Sequence, residues 1–565
     1  MAGTDTRPAG VLGVWDGHDA SACLVADGEV VFALSEERPT RRKRFSGFPH
    51  RSIRAALAFA EAHGVEVRDV AVAGRHGRAL QRLLDPLYSR GDPARDPTSA
   101  ASLLVAAWEN TVPRLPIARE VERAAGSAPL MARLRAAVGA PFRLHLVPHH
   151  EAHAFSALLG GGGPDALVVT FDAYGEGVAA TARSAADPAR PVATLPPSAG
   201  LARLYGAATV RLGFREGDEG KVMGLAARGD PEPGLGRLLA MFAARGGEPA
   251  LRVPVTRATV DKALAGLSRE DASAAVQAVT ESLAAAWVAS VLPRVPGATR
   301  LLLAGGLFSN ILLNRALAAL PGVGCVFVFP NMVDGGLRAG AAHRAWRDIA
   351  GACCRPIRHV LLGREFGAGD ARRAAEASGL PWRRADDPEA AAVAHLLAGR
   401  VVCRHDGRDE FGPRALGNRS VLFPAADPAL ADRVNAALAR DEFMPFGPAL
   451  PSDHPPGLWT GRARDEDLRY MTLAVAATDA FRRACPAVVH LDGTARPQVA
   501  DPVWCAGLDR ILRGYAAGGG GPAVVNTSFN LHGEPIVHTP EDAVRTFAAS
   551  GLDVLLVGGI EVRRA

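Results

Sequence analysis

The fold is decided by the segment VLGVWDGHD at residues 11–19, where an apolar run ends in acidic residues around a glycine. The run predicts a buried strand, and the residues that follow, with an Asp27-Gly28 turn, predict a hairpin of two more strands. The turn after the first strand exposes His18, which is a candidate general base for a hydroxyl. A histidine hydrogen-bonded within its own turn would give the same pattern.

A second strand with an acidic glycine loop occurs at residues 167–177, which read LVVTFDAYGEG. Two such segments indicate a duplicated fold in which each half offers backbone amides to phosphate oxygens. Actin-like nucleotide-binding domains begin in this way, so an α/β fold of that class is expected. The glycine pair Gly305-Gly306, between a strand pattern and a helix pattern, suits an adenosine or phosphate site, although a tight turn without a ligand would look the same.

The segment PHHEAHA at residues 148–154 places His149 and His153 four residues apart. On a helix both imidazoles project from one face and can bind one ion. The zincin pattern is excluded, because it requires a histidine at position 154, where this chain has alanine. Two imidazoles leave a divalent ion short of ligands, so carboxylates are also needed, and Asp172 and Asp334 each follow a strand pattern. A polar helix face without a metal is the alternative.

The composition is typical of a globular protein with two or more domains, since 48% of its 565 residues are hydrophobic. The net charge of +5 comes from arginine spread along the chain, so nucleic-acid binding is not indicated, and anionic small substrates fit equally well. The seven cysteines show no Cys-x-x-Cys pattern, which suits a reducing cytoplasm. We find no apolar run of about eighteen residues and no signal core, so a cytoplasmic protein off the membrane is expected.

Two basic features precede the glycine pair. The cluster Arg41-Arg42-Lys43-Arg44 would attract phosphates at the mouth of a nucleotide site, but solvated surface clusters are common. Lys221 lies in EGDEGKVMG, which predicts a glycine-flanked loop where an amine could meet a phosphate or acyl group; an exposed loop lysine is the alternative. Residues 51–160 are predicted to be mostly helical, with a proline-rich loop near 92–97.

The pattern changes near residues 350–369, which predicts a domain boundary between residues 352 and 353. The second domain then contains GRDEFGPRALGNRS, in which Arg414 and Arg419 are fixed in a loop of glycines and one proline. Such a doubly cationic loop suits phosphate or a carbamoyl-type anion. Near the end, NTSFNLHGEP at residues 526–535 follows a strand pattern and is rich in hydrogen-bonding side chains, so it either holds a ligand or closes a turn.

Taken together, HHEAHA, FDAYGEG, GKVMGLAARG, LAGGLFSN, GPRALGNRS and NTSFNLHGEP resemble the O-carbamoyltransferase family, which includes nodulation-factor, cephalosporin and tobramycin carbamoyltransferases. The resemblance implies an N-terminal actin-like (ASKHA-type) duplicated domain over residues 1–352 and a C-terminal YrdC-like α/β domain over residues 353–565. It implies that carbamoyl phosphate and ATP give carbamoyladenylate, from which the N-terminal, iron-containing domain carbamoylates a hydroxyl. Fe²⁺ or a similar divalent metal is therefore expected, with Mg²⁺ as a further candidate.

The resemblance also implies roles for individual residues. The metal ligands would be His149, His153, Asp172 and Asp334. The carbamoyladenylate site would be lined by Gly175, Lys221, Gly305, Gly306 and Asn310. His18, with Asp16 nearby, would meet the acceptor hydroxyl, and Lys43 would face the activated carbamoyl group. The carbamoyl phosphate pocket would be formed by Arg414, Arg496 and Asn526.

One position departs from the family pattern. Many relatives carry arginine before Pro-Phe, where this chain has Met444. A methionine cannot donate two hydrogen bonds to a phosphate. Either Arg440 or Arg419 supplies that charge, or carbamoyl phosphate is held more weakly.

Other functions explain fewer of these features. An actin-like ATPase or sugar kinase accounts for the glycine loops but not for the histidine helix or the arginine loop. A tRNA threonylcarbamoylation-type enzyme shares both domains but is disfavoured by the lack of a basic tail, and a binding module without activity is disfavoured by the complete set of metal ligands. A small hydroxylated natural product is the expected acceptor, recognised by loops that include residues 78–118, and the sequence does not specify an oligomeric state.

Overall fold

The computed structural model describes residues 9–74, 115–245, 248–440 and 446–564, and its contacts divide the chain into two compact units. The N-terminal unit comprises Met1–Glu36 and Arg44–Ile357, and the C-terminal unit comprises Glu37–Lys43 and Arg358–Ala565. The short helix α1 (Glu37–Thr40) therefore belongs to the C-terminal unit, which the sequence did not predict. Met444, the loop at 92–97 and most of the 78–118 region lie outside the described residues.

The first sheet of the N-terminal unit has strand order β3-β2-β1-β4-β5. Its strands are β1 (Ala9–Trp15), β2 (Ser21–Ala26), β3 (Glu29–Ser35), β4 (Glu66–Ala73) and β5 (Arg143–Val147). β1, β2 and β3 are antiparallel neighbours, which confirms the predicted hairpin, whereas β4 and β5 run parallel to β1. The mainly helical prediction for residues 51–160 was wrong at β4 and β5, because their pairing with β1 depends on distant residues that no local pattern shows.

The second sheet repeats this arrangement with the order β12-β11-β6-β7-β8. Its strands are β6 (Ala166–Gly175), β7 (Val178–Ser184), β8 (Asp187–Leu195), β11 (Arg300–Ala304) and β12 (Cys325–Val328), and a separate ribbon contains β9 (Phe242–Arg245) and β10 (Glu248–Leu251). β6, β7 and β8 are antiparallel, while β11 and β12 run parallel to β6. The two sheets share strand order and strand directions, which confirms the predicted duplication.

Helices cover both sheets of this unit. They are α2 (His50–Ala62), α3 (Pro116–Val138), α4 (His149–Ala157), α5 (Leu201–Arg211), α6 (Glu219–Ala226), α7 (Glu232–Leu239), α8 (Arg257–Ala263), α9 (Arg269–Val291), α10 (Ile311–Ala318) and α11 (Leu337–Ala350). The segment Arg269–Arg294, which contains α9, has the length and composition of a membrane span, but 50% of its apolar 18-residue window is buried within the structure. Trp287 of α9 packs edge-on against Phe171 of β6, with 5.1 Å between ring centroids, as in a core helix.

The C-terminal unit is also α/β and is built on one mixed sheet of order β13-β23-β22-β14-β15-β21-β16-β20. Its strands are β13 (Trp382–Arg384), β14 (Val402–His405), β15 (Arg419–Pro424), β16 (Gly447–Leu450), β20 (Gln498–Val499), β21 (Val524–Ser528), β22 (Val554–Val557) and β23 (Ile560–Arg563); a small sheet holds β17 (Trp459–Thr460), β18 (Val475–Ala477) and β19 (Thr494–Ala495). The helices are α12 (Ala368–Ser378), α13 (Pro388–Leu397), α14 (Pro428–Ala437), α15 (Asp479–Ala484), α16 (Ala506–Ala517) and α17 (Pro540–Ser550). Leu422 of β15 and Val524 of β21 form part of its core, so the ends of these central strands are held rigidly.

Candidate functional site

The four predicted metal ligands come from three separate places in the N-terminal unit. His149 and His153 lie on one face of the buried helix α4, as their spacing predicted. Asp172 lies near the end of β6, and Asp334 begins a short turn soon after β12. The parallel pairing of β6, β11 and β12 brings these strand ends to the same edge of the sheet, beside α4.

The side chains of these residues converge on one point. One ligand atom from each of His149, His153, Asp172 and Asp334 lies within 4.8 Å of the others. The Oδ2 atom of Asp172 is 3.2 Å from His149 Nε2 and 3.1 Å from His153 Nε2. The Oδ1 atom of Asp334 lies 3.7 Å and 3.4 Å from the same two nitrogens. Two imidazole nitrogens and two carboxylates at this spacing form a candidate site for one ion.

The electrostatics of the cluster suit a cation. Burial alone would lower the pKa of His153, but hydrogen bonds and charge interactions with Asp172 and Asp334 raise that pKa to about 9. Burial would raise the pKa of Asp172, yet the bonds from His149 and His153 hold it well below its usual value. Two largely buried carboxylates that meet at one point favour positive charge at that point. A divalent transition metal with a preference for nitrogen and oxygen ligands fits this donor set.

Glycines allow the surrounding backbone to approach the cluster. A Cβ atom on Gly175 would lie 2.4 Å from Cδ2 of His149, and one on Gly305, whose φ is +116°, would lie 2.1 Å from the carbonyl oxygen of Phe171. A Cβ on Gly306 would be 3.4 Å from Oδ1 of Asp172. These glycines were predicted to line the adenylate site; Gly175 and Gly306 lie against ligand side chains of the cluster, and Gly305 lies against the backbone of Phe171, which precedes Asp172.

His150, between the two ligand histidines, fixes the position of α4. Its Nδ1 lies 2.8 Å from Thr170 Oγ1 and its Nε2 lies 2.9 Å from the carbonyl oxygen of Val178. The next residue, Glu151, accepts a 2.6 Å hydrogen bond from Nε of Arg344 in α11. Helix α4 is thereby tied to β6, β7 and α11, which holds the ligand histidines in place.

His18 lies beside this cluster, in the turn that follows β1. Its Nε2 is 3.1 Å from Oδ2 of Asp334 and its Nδ1 is 3.0 Å from Oδ2 of Asp19, whereas its side chain is 50% exposed. Asp334 therefore faces the ligand histidines with one oxygen and His18 with the other. The predicted partner Asp16 directly follows β1. Asp19 was missed by sequence reasoning, although its place next to His18 and its left-handed backbone, with φ of 58°, were the available signals.

Two residues predicted for the adenylate site have structural contacts. Lys221 was predicted to lie in a loop, but it lies in α6 and pairs with Asp218 at 3.3 Å, because the apolar residues that follow it form one buried helical face. Asn310 caps α10 by accepting a hydrogen bond from the Leu313 amide, and its amide group donates 2.8 Å to Gln277. The capping role explains why an asparagine occurs where the glycine turn meets the helix.

The C-terminal unit holds a second candidate site made of arginines. Arg414 lies in the loop between β14 and β15, and Arg496 lies in the turn between β19 and β20. Burial lowers the pKa of Arg414 to about 10, and burial together with the nearby charge of Arg414 lowers the pKa of Arg496 well below its usual value. Neither guanidinium has a carboxylate partner among the described residues. Two neighbouring cations without a counter-charge indicate a site for an anion.

Asn526, in the centre of β21, contacts the sequence neighbourhood of both arginines, since it bonds Ala415, the residue after Arg414, and Gln498, two residues after Arg496. It is 1% exposed, and its Nδ2 donates a 2.6 Å hydrogen bond to Oε1 of Gln498 and a 3.3 Å bond to the carbonyl oxygen of Ala415. Its Oδ1 accepts no hydrogen bond from any described residue, nor does Nε of Arg414 donate one. A buried acceptor and a buried donor without partners fit a ligand that carries both an N–H group and anionic oxygens. Asn526 was predicted to follow a strand, but β21 continues to Ser528 because it pairs with both β15 and β16.

Of the two arginines proposed to compensate for Met444, Arg440 is better placed. It donates hydrogen bonds to Thr527 Oγ1 and to the carbonyl oxygen of Ser528, next to Asn526, and burial lowers its pKa to about 10. Arg419 is fully buried, pairs with Asp409 at 2.8 Å and donates to backbone carbonyl oxygens. Arg419 thus has a structural partner, whereas Arg440 has no carboxylate partner among the described residues.

Comparison with known proteins gives matches in both units. Residues 10–343 match the family described as carbamoyltransferase N-terminus, and residues 393–564 match carbamoyltransferase C-terminus. The nodulation protein NolNO of Sinorhizobium fredii is 30% identical over 97% of this chain and 79% of its own length. A 3'-hydroxymethylcephem-O-carbamoyltransferase of Streptomyces clavuligerus is 29% identical over 62% of this chain and 66% of its own length. Full-length HypF in a phosphate- and nucleotide-bound form is a structural match with a TM-score of 0.34 and 13% identity, over 61% of this chain and 56% of that one.

Proposed function

The chain belongs to the carbamoyltransferase family, and we propose that it is an ATP-dependent O-carbamoyltransferase. It takes carbamoyl phosphate and ATP to carbamoyladenylate and then moves the carbamoyl group to a hydroxyl of a small-molecule, natural-product acceptor. The observation that carries this proposal is a set of three buried side chains. Arg414 and Arg496 lack carboxylate partners among the described residues, and Oδ1 of Asn526 accepts no hydrogen bond from any of them. Such a set binds an anion that also carries an N–H group, and carbamoyl phosphate has both.

The C-terminal unit would make the activated carbamoyl group. Arg414 and Arg496 bind the phosphate oxygens, and Oδ1 of Asn526 accepts a hydrogen bond from the carbamoyl amino group. Water releases phosphate from carbamoyl phosphate and leaves carbamate, whose oxygen attacks the α-phosphorus of ATP and expels pyrophosphate. The atoms balance as one carbamoyladenylate, one phosphate and one pyrophosphate. Arg440, beside Thr527 and Ser528, provides further positive charge for the phosphates.

The N-terminal unit would transfer the carbamoyl group. His149, His153, Asp172 and Asp334 would hold Fe²⁺ or a similar divalent metal, which when bound supplies positive charge for the adenylate phosphate. His18, half-exposed at the edge of this cluster, orients the acceptor hydroxyl and takes its proton as the oxygen bonds to the carbamoyl carbon. AMP leaves with the electrons of the anhydride bond. Gly175 and Gly305 keep this edge of the sheet open to the nucleotide.

The repeated strand order of the N-terminal unit supports an actin-like class, and the C-terminal unit is proposed to be YrdC-like. We place the enzyme in the cytoplasm, consistent with its free cysteines. A membrane or a nucleic acid is not among its proposed partners.

The test is a reaction with purified protein, ATP, carbamoyl phosphate and a panel of hydroxylated metabolites. We expect pyrophosphate release that depends on carbamoyl phosphate, and an acceptor product heavier by one carbamoyl group in mass spectrometry. Release of ADP without any need for carbamoyl phosphate would instead identify an ATPase or kinase and overturn the proposal. Metal analysis of the same preparation should find one divalent ion per chain, in keeping with the single cluster among the described residues.

A further inference from the structure

The direction in which the side-chain amide of Asn526 points decides what the anion site of the C-terminal unit selects. An asparagine amide offers an acceptor oxygen on one side and an NH₂ donor on the other. If Oδ1 faces the ligand, the site selects a group that donates a hydrogen bond, and if Nδ2 faces it, the site selects a group that accepts one. The partners on the far side of the amide determine which of the two it presents.

Two backbone carbonyls fix this direction. Nδ2 of Asn526 donates 3.3 Å to the carbonyl oxygen of Ala415, and Nε2 of Gln498 donates 2.9 Å to that of Leu416. A carbonyl oxygen can only accept, so each amide must turn its NH₂ group toward the carbonyl. Oε1 of Gln498 is then left to accept the 2.6 Å hydrogen bond from Nδ2 of Asn526. The NH₂ group of Asn526 is used twice, whereas its Oδ1 accepts no hydrogen bond from a described residue.

The two amides meet across β16. The sheet order places this strand between β21 and β20, with Gly447 paired to Asn526 and Ala449 paired to Gln498. A Cβ atom on Gly447 would lie 2.8 Å from the carbonyl oxygen of Arg496, so the glycine lets the backbone of that arginine approach closely. Asn526 and Gln498 are both buried. Water, which can act as donor or acceptor, is thus kept from replacing either amide contact.

The arginines alone would make the opposite selection. Arg414 and Arg496 are buried cations without a described carboxylate partner, and they favour the ligand with the greater negative charge. Between an anion that ends in an amide and the same anion that ends in a carboxylate, they favour the carboxylate. An acceptor at Oδ1 of Asn526 favours the amide, because a carboxylate oxygen there would place two acceptors together. Preference for the amide therefore reports the direction of the Asn526 side chain.

We propose that Gln498 is a specificity-determining residue, which holds the Asn526 amide with its acceptor toward the ligand and so restricts the anion site to ligands that carry an N–H group. The inference rests on the proposed function for the identity of that ligand as carbamoyl phosphate. It does not rest on that function for the direction of the amide, which the carbonyls of Ala415 and Leu416 fix. Gln498 acts through Asn526 and is a positioning residue.

The experiment compares phosphonoacetamide with phosphonoacetate by calorimetric titration of the full-length protein. The two probes share a phosphonate and a carbon frame, and they differ in an NH₂ group against a carboxylate oxygen. We expect the unmodified protein to bind phosphonoacetamide at least about tenfold more tightly, because the carboxylate leaves a buried acceptor unpaired. Gln498→Met keeps the length of the side chain but cannot hold the amide. Its Asn526 can turn over, so the preference should fall to about threefold or less.

Cys505→Ala is the matched control. The Cys505 thiol donates to the same Leu416 carbonyl, at 3.2 Å, but it is not one of the described partners of Asn526. This variant should keep the preference within about twofold of the unmodified protein. Gln498→Glu keeps an acceptor toward Asn526, so it should also keep the preference, although its charge weakens the binding of both probes. It provides the test if Gln498→Met does not fold.

An unchanged preference in Gln498→Met would overturn the inference, and so would its loss in Cys505→Ala or in Gln498→Glu. Equal or tighter binding of phosphonoacetate by the unmodified protein would also overturn it. Pyrophosphate release from carbamoyl phosphate and ATP tests the proposed function separately. If the unmodified enzyme released none, that function would be refuted, and the titrations would still decide the direction of the amide.

Discussion

The two candidate sites have opposite electrostatics. In the cluster of the N-terminal unit each polar group has a partner of opposite character, since the nitrogens of His149 and His153 lie 3.1–3.7 Å from the carboxylate oxygens of Asp172 and Asp334. The arginines of the C-terminal unit have none, since burial lowers the pKa of each and no described carboxylate raises it. A cation site is recognised by the ligands that it brings together, whereas an anion site is recognised by the counter-charge that it lacks.

The largest expected effect is the loss of metal binding and carbamoyl transfer when a ligand of the N-terminal cluster is replaced. Asp172→Asn keeps the shape of the side chain but removes the charge that both ligand histidines face. Because even outer partners of metal ligands are worth about 10- to 100-fold, we expect bound metal and carbamoyl transfer to fall at least about 100-fold. Pyrophosphate release that depends on carbamoyl phosphate should persist, since its residues lie in the other unit.

Asp165→Asn is the matched control for this change, because Asp165 is an exposed aspartate just before the same strand. It should retain full metal content and full transfer. Elemental analysis and both half-reactions measured on one preparation provide the comparison. If Asp172→Asn kept its metal, the cluster would be a hydrogen-bond network and not a metal site.

The next effect is weaker binding of carbamoyl phosphate when an arginine of the C-terminal site is replaced. Arg496→Met removes a cation that Arg414 repels, so the unliganded C-terminal unit should melt at the same or a higher temperature. The same change should raise the KM for carbamoyl phosphate by roughly 10- to 100-fold, because charge-assisted hydrogen bonds contribute about 1.5–3 kcal/mol. The metal content should not change.

Arg462→Met serves as the control for Arg496→Met, because Arg462 is exposed in the same unit. Thermal unfolding without carbamoyl phosphate measures the stability of each variant, and thermal unfolding with it reports whether the substrate binds. Steady-state kinetics give the KM for carbamoyl phosphate. The substrate should raise the melting temperature of the control but not that of Arg496→Met. Loss of stability without loss of substrate binding would make Arg496 a structural residue.

The two sites also differ in how far the sequence could reveal them. His149 and His153 could be read from their spacing, because helical geometry alone brings side chains four residues apart together. The duplicated sheets could be read from two similar strand ends, but β4 and β5 could not, because their parallel pairing with β1 is non-local. Asp172 and Asp334 could be named as candidate carboxylates because each follows a strand pattern, but the family resemblance was needed to assign them as ligands, since nothing in their local sequence shows that their strands are neighbours.

Residues that act through side-chain contacts were the hardest to predict. Asn310 was expected to line the adenylate site, which stays a prediction, and the structure adds that it caps α10, a role that no local pattern distinguishes from ligand binding. Lys43 was expected among N-terminal residues, but its segment belongs to the C-terminal unit, a consequence of the bonds that Arg41 makes to residues almost five hundred positions away. Such contacts depend on the completed fold and leave no periodic pattern in the sequence.

The smallest expected effect is on the pH dependence of stability, which one buried histidine in each unit should determine in part. Burial lowers the pKa of His343 in the N-terminal unit to about 4, and burial with the nearby Arg419 charge lowers the pKa of His405 in the C-terminal unit to about 3. Both pKa values lie below that of an unfolded histidine, about 6.5, so the unfolded chain binds more protons and each unit loses stability as pH falls from about 6.5 toward these values. His343→Asn preserves a donor to the Phe155 carbonyl, and His405→Gln preserves one to the His538 carbonyl.

Each substitution should therefore reduce the stability difference between pH 7 and pH 5 by about 2 kcal/mol, and only in its own unit. Chemical unfolding at the two pH values, followed by hydrogen exchange resolved along the chain, assigns the change to one unit or the other. Because the metal cluster lies in the N-terminal unit, the His343→Asn comparison is made on both metal-loaded and metal-stripped protein. If His343→Asn reduced the acid sensitivity of the C-terminal unit equally, the two units would unfold as one cooperative body. The units would then differ in the charge of the ligand that each binds but not in their stability to acid.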